Sequence, residues 1–451
     1  MDAGSNCTGT LVDTGVPTGP AYVITNGHCV GDIGRPPQKT TVDLEWAGTA
    51  EFFRGADNLD STLLVDVVAI AYSTMRHTDT AIVRLDTTLD VLAAQGVHPV
   101  ALATSEPAEG SAVTNIGVPV QNLLDHEWVL RRGECTLGSQ HTITEFHWLW
   151  FDVWSNDCPG IIQGSSGSPL LALDADGTPR EVVAVINTTT WAAPEGGACW
   201  LNRPCEVTAD GSHVAPDTSY AQSVAGIGAC FDAATGEFAL GGPCPLPLSD
   251  LWAESGGGPF RGGDLPDSAG RLPAVSLVGA EPGTARTALT PIGNATACTD
   301  AATYDGATEL DLPIAGAPWE QVGAAVPVDL PEAEGWYLLC AVRGDAYTAA
   351  ATVLFEVDRT PPVIPLDVDI DDLGEGTVSV QPTFAPPELA RVRFTYGPAD
   401  TVDCDDTDAF RDLMMVPPIL GPDELPAVFC VYAQDAAGNA TPVQRVDIDA
   451  P

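Results

Sequence analysis

The stretch Gly164-Ser165-Ser166-Gly167-Ser168-Pro169-Leu170-Leu171 decides how the rest of the chain is read. Its small residues let the backbone turn sharply before an apolar strand begins. Such a turn can bring the amides of Gly164 and Ser166 to converge on one point, with a serine hydroxyl beside them. Upstream, His77-Thr78-Asp79-Thr80-Ala81-Ile82-Val83-Arg84-Leu85 sets a carboxylate at the start of an apolar run. Earlier still, Ala21-Tyr22-Val23-Ile24 leads into Thr25-Asn26-Gly27-His28-Cys29, with an imidazole just beyond a strand. Acyl transfer needs a nucleophile, a base, a group that orients the base, and donors for the oxyanion. Taken singly, each segment reads as a turn, a strand edge or a structural histidine. Together, in the order His, Asp, Ser, they supply all four parts.

The three segments resemble motifs of the trypsin/chymotrypsin family. Thr25-Asn26-Gly27-His28-Cys29 is similar to its Thr-Ala-Ala-His-Cys, Asp79-Thr80-Ala81-Ile82-Val83-Arg84-Leu85 to its Asp-Ile-Ala-Leu-Leu-Arg-Leu, and residues 164–169 to its Gly-Asp-Ser-Gly-Gly-Pro. The resemblance covers residues 7 to about 190, and weakly to about 230. It implies a secreted serine endopeptidase with His28 as base, Asp79 fixing its tautomer, Ser166 as nucleophile, and the amides of Gly164 and Ser166 as the oxyanion hole. Cys7, in Asn6-Cys7-Thr8-Gly9-Thr10-Leu11-Val12, resembles the cysteine strand that a Cys7–Cys29 bridge would tie to the histidine loop. The competing reading is a secreted binding protein that keeps the fold without the activity.

Departures from the family pattern are informative. Ser165 replaces the acidic residue that in digestive members pairs with a freshly cut N-terminus, and only six residues precede Cys7. Gly-x-Ser-Gly-Ser-Pro is instead similar to the bacterial glutamyl-endopeptidase branch. A start lacking the first barrel strand implies truncation, and with it a missing export signal. The resemblance puts the specificity pocket at Gly160, Ile161 and Gln163 and at Asn187, Thr188 and Thr189. Gly160 stands where trypsin-like members carry an acidic residue, and no histidine occurs in the later strand, so a neutral or apolar residue is expected before the scissile bond.

Short apolar runs at 10–12, 21–25, 63–71, 80–85, 113–118, 148–153, 169–173 and 181–186, punctuated by Gly, Pro, Asn and Asp, predict a mainly β chain. The expected architecture is a chymotrypsin-like double β-barrel at 1–245, a flexible linker at 246–271, and β-sandwich domains at 272–360 and 361–451. The linker is read from Glu254-Ser255-Gly256-Gly257-Gly258-Pro259 and Arg261-Gly262-Gly263-Asp264. The tail carries a loose repeat, in which Cys298 is answered by Trp336-Tyr337-Leu338-Leu339-Cys340 and Cys404 by Val428-Phe429-Cys430-Val431-Tyr432. Both copies resemble bacterial immunoglobulin-like or fibronectin-like modules, which implies spacing, or attachment to a cell-surface or polymer target.

With 62 acidic and 18 basic residues the net charge is −44, and Lys39 is the only lysine. A surface this negative repels nucleic acid and anionic membranes, and no apolar run is long enough for a spanning helix. Twelve cysteines without a C-x-x-C pair predict disulfides in an oxidising compartment. Besides Cys7–Cys29, proximity pairs Cys135–Cys158, Cys199–Cys205, Cys230–Cys244, Cys298–Cys340 and Cys404–Cys430. No cofactor or metal is expected. The seven histidines are dispersed, and Asp367-Val368-Asp369-Ile370-Asp371-Asp372 lacks the Gly and the closing Glu of a calcium loop. The partner implied is a protein or peptide substrate.

Overall fold

The computed structural model describes residues 6–30, 40–54, 61–146, 148–191, 199, 201–248, 251–254, 260–264, 274–279, 283–293, 295–307, 309–312, 324–363, 366–382, 389–413 and 417–449. The chain is mainly β. It divides into two units, one of residues 1–259, 275–326 and 336–354, the other of 260–274, 327–335 and 355–451.

In the first unit, β1 (Thr10–Leu11), β2 (Pro20–Thr25), β3 (Thr41–Phe53), β4 (Thr62–Thr74) and β5 (Thr80–Thr88) form one antiparallel sheet in the order β1-β2-β5-β4-β3. A short helix, α1 (Leu89–Ala94), and β6 (Ala101–Leu102) lead into a second sheet. Its strands are β7 (Ala112–Gly117), β8 (Arg131–Glu145), β9 (Trp148–Asn156), β10 (Pro169–Leu173), β11 (Pro179–Thr189), β12 (Cys205–Thr208), β13 (Gly211–His213) and β14 (Ser219–Ser223). Following the pairings from β7 to β8, β9, β14, β11, β10 and back to β7 closes a six-stranded antiparallel barrel. The β12–β13 hairpin adds to β8 outside that ring.

Strand alternation explains how the two sheets join. Ala21 and Val23 of β2, with Ala81, Val83 and Leu85 of β5, point into the apolar cluster of the first sheet. Tyr22, Ile24 and Ile82 point the other way, where they meet Leu171, Val182, Val185 and Ile227. A side-chain period of two thus lets β2 and β5 serve two cores at once, which is why their residues are apolar in succession. Inside the barrel, Leu137, Trp154, Ile161, Leu170, Ile186 and Ala221 form a third cluster.

Within the stretch read as a linker, Leu251–Glu254 and Phe260–Gly262 are strands. Leu251 and Trp252 are buried, and residues 251–254 pair with residues 276–279, so this part is ordered by apolar burial. Residues 249–250, 255–259 and 265–271 of that stretch lie outside the described residues. Further along the first unit, residues 283–291 pair with 309–312 and 337–342. Leu149 and Val207 share a cluster there with Ile292, Tyr304, Trp336 and Leu338.

The second unit holds a sheet of Val368–Gly374, Thr377–Pro382 and Ile419–Leu420 and another of Arg411–Asp412, Arg391–Gly397, Ala427–Gln434 and Gln444–Ile448. Val378, Val380, Phe394, Leu420, Phe429 and Ile448 fill the cluster they share. The structure closes the six cysteine pairs expected from the sequence, and no cysteine is free.

Candidate active site

Strand β2 ends in Thr25, whose hydroxyl donates to the Thr8 carbonyl at 2.7 Å. The next residue, Asn26, is fully buried and donates from Nδ2 to the Asp79 carbonyl at 2.9 Å. A single 3-10 turn, Gly27–Cys29, then carries His28, and the Cys7–Cys29 bridge anchors it. Asp79 sits immediately before β5 with no exposed surface. Its carboxylate is held from two sides, because Oδ1 accepts the His28 amide at 2.9 Å and Oδ2 lies 2.6 Å from His28 Nδ1. Nδ1–H donates to Oδ2, which leaves Nε2 as the basic nitrogen.

Burial alone would lower the pKa of His28. The charge and hydrogen bond of Asp79 outweigh that, with a smaller contribution from Glu145, and hold it above the ordinary histidine value. The site therefore stabilises the imidazolium more than water does, which suits a base that must hold a proton during the reaction.

The Ser166 loop is tied to the same N-terminal segment. Thr8 Oγ1 donates to the Gly164 carbonyl at 2.8 Å, and the Thr8 amide donates to the Ser166 carbonyl at 2.8 Å. With both carbonyls occupied, the loop orientation is fixed, and among the described residues neither the Gly164 nor the Ser166 amide donates a hydrogen bond. Gly167 has φ +79°, and a Cβ there would lie 2.2 Å from both Thr25 Oγ1 and the Thr8 carbonyl oxygen. Only glycine fits that crossing. The buried Ser165 hydroxyl accepts the Ile162 amide at 3.3 Å, so a neutral local bond occupies the position where an acid was absent.

Ser166 and His28 line one cleft of about 490 Å³ together with Ile161, Gln163, Gly164, Asn187, Thr188 and Thr189. No hydrogen bond joins Ser166 to His28 in this arrangement. Such bonds are often long in apo enzymes and tighten when substrate is bound. Of the pocket residues expected from the sequence, Gly160 lies outside this lining, on an exposed turn at φ +74°. The sequence reading missed Glu145, Met75, Trp148, Trp150, Leu201 and Asn202, which also line the cleft. Cys7, His28 and Cys29 group closely enough to suggest a metal site, but both sulfurs are spent in a disulfide and cannot coordinate as thiolates.

Residues 2–198 match the Trypsin family. That match spans all three residues of the His28–Asp79–Ser166 arrangement and supports a trypsin-like serine protease domain on a chymotrypsin-like β fold. Among solved structures, a thermostable serine protease AL20 from an extremophilic microorganism is 15% identical, with 49% of this chain and 86% of that chain covered and a TM-score of 0.30. No curated protein matches the sequence. Disulfides and a trypsin-like domain are consistent with an extracellular protein, and no helix among the described residues is long and apolar enough to cross a membrane.

Proposed function

We propose that the chain is a secreted serine endopeptidase that works through His28, Asp79 and Ser166. The observation that carries this reading is the buried Asp79 carboxylate 2.6 Å from Nδ1 of His28, which lines one cleft with Ser166. On substrate binding, His28 Nε2 takes the Ser166 proton as Oγ attacks the peptide carbonyl, and the Gly164 and Ser166 amides receive the developing oxyanion. His28 returns the proton to the leaving amine, and water then releases the acyl group by the same steps in reverse roles. Ser165, bonded locally, supports activation without an N-terminal ion pair, as in the glutamyl-endopeptidase branch. The uncharged side chains of Ile161, Gln163, Asn187, Thr188 and Thr189 favour a neutral or apolar residue before the scissile bond. The C-terminal β modules, of immunoglobulin-like type, serve as spacers or attach the enzyme to a polymer or cell-surface target.

Fluorophosphonate labelling tests the reading, because only an activated serine reacts. The unaltered protein is expected to label at one site, and Ser166→Ala to lose labelling and peptide hydrolysis while keeping its circular dichroism spectrum. An unlabelled wild-type protein would mark it as a binding protein on a protease scaffold.

A further inference from the structure

The cleft contains one acidic side chain for which the acyl-transfer chemistry has no use. Glu145 closes β8 at the tip of the β8–β9 hairpin and is 4% exposed, yet it lines the cleft. Its Oε1 accepts the Asn202 amide at 2.7 Å. Oε2 is buried and makes no well-directed hydrogen bond, and the Thr188 hydroxyl near the carboxyl group favours its ionised form. A buried carboxylate with an unused oxygen is costly unless something arrives to satisfy it.

What surrounds Glu145 narrows the choice of ligand. Trp148 and Trp150 follow on β9 and line the same cleft, with ring centroids 5.9 Å apart and planes 15° apart. Indole faces attract cations, and a carboxylate beyond them would complete a site for an ammonium or guanidinium group on an apolar stem. Glu145 pairs across the hairpin with Trp148, so it stands with the indoles at the strand ends of β8 and β9. The wall of Ile161 and Gln163 provides no comparable charge. Asn187, 3% exposed, also lines the cleft with its side-chain oxygen and nitrogen both unpaired, and so offers further polar capacity to a bound peptide.

We infer that Glu145, flanked by Trp148 and Trp150, is a specificity residue that selects peptides carrying a lysine or arginine near, but not at, the residue whose carbonyl is attacked. Burial pushes the carboxyl above the ordinary glutamate value, against the pull of Thr188, Asn202 and His28, and an incoming cation would reverse that. The inference rests on the peptidase reading, so the experiment separates the two.

The unaltered full chain is first labelled with a fluorophosphonate, which reports on Ser166 alone. A separate, unlabelled portion of the same protein is given peptide libraries scanned at each position around the scissile bond, with arginine compared against citrulline, its uncharged analogue of similar shape. One position is expected to favour arginine over citrulline about tenfold or more in kcat/KM, the size of a well-formed charged contact. Glu145→Gln is expected to erase most of that ratio. A protein that labels but treats arginine and citrulline alike at every such position overturns the inference and leaves the triad standing. An unimpaired ratio in Glu145→Gln overturns it equally. If that variant fails to fold, the wild-type ratio still decides. Failure of the wild type to label defeats the peptidase reading first.

Discussion

Replacing Asp79 by Asn changes one atom and reverses the hydrogen-bond logic of the site. Oδ1 accepts the His28 amide and the side chain has no exposed surface, so an asparagine would keep its oxygen there and present its NH2 where Oδ2 now meets His28 Nδ1. Nδ1 would then have to accept, Nε2 would carry the proton, and the imidazole could not take a proton from Ser166. Loss of the charge-assisted bond removes about 1.5–3 kcal/mol, and the tautomer change adds to it. In serine proteases with this triad, the equivalent Asp→Asn change costs about 10⁴ in kcat, equal to about 5 kcal/mol. A loss of that order is expected here, measured as the rate of fluorophosphonate labelling. The pH profile gives a second reading. The neutral imidazole is the active base, so labelling rises as pH climbs through the His28 pKa, which Asp79 holds above the ordinary histidine value. Without the Asp79 charge and bond, burial dominates and the rising limb should move to lower pH. A labelling rate within a few-fold of wild type, with the limb unmoved, would refute the role given to Asp79.

Two further expectations concern stability. Gly167→Ala forces a Cβ into the Thr25–Thr8 contact at positive φ, which should cost about 3 kcal/mol and lower the melting midpoint in calorimetry. A shift under one degree would contradict the packing described. Glu206 joins the β12–β13 hairpin to β8, since its Oε2 lies 3.1 Å from both His141 Nδ1 and His213 Nε2 while Oε1 accepts the Tyr220 hydroxyl at 3.0 Å. Burial would raise its pKa, but those partners outweigh burial and hold it below the ordinary glutamate value. Its contribution is therefore present above about pH 4.5 and lost as pH falls through the lowered folded pKa. In denaturant melts, Glu206→Gln should be less stable than wild type at pH 7, with the gap closing in acid. A gap independent of pH would count against the linkage.

What the sequence disclosed, and what it withheld, follows from how far each signal reaches along the chain. The Ser166 turn, the strand leading to His28 and the run after Asp79 are local patterns, so they could be read directly. The cysteines pair across separations of 6 to 42 residues within their own modules, and adjacency found them. Glu145 had no such signature. It is a charged residue at a strand end, and only the β8–β9 hairpin and the Asn202 amide make it part of the cleft. Gly160 was expected in the pocket because it stands where trypsin-like members carry an acidic residue, but it is exposed on a turn outside the cleft lining. Leu251-Trp252 is too short an apolar signal to announce a strand among glycines, and its burial depends on residues 276–279 arriving from further along the chain.

The β8–β9 pairing that closes the six-stranded barrel also bears on how the enzyme can handle its substrate. The legs of the hairpin are bonded at their base, to β7 along Arg131–Thr136 and to β14 along Trp154–Asn156, while near the tip that carries Glu145 and Trp148 the outside ladder is the short one from β12 to Ile143 and Thr144. The tip is thus held by fewer ladder bonds than the base. Residues at such a tip can adjust to a bound peptide more readily than those in the barrel ring, so part of the cost of shaping this side of the cleft would fall on binding instead of folding.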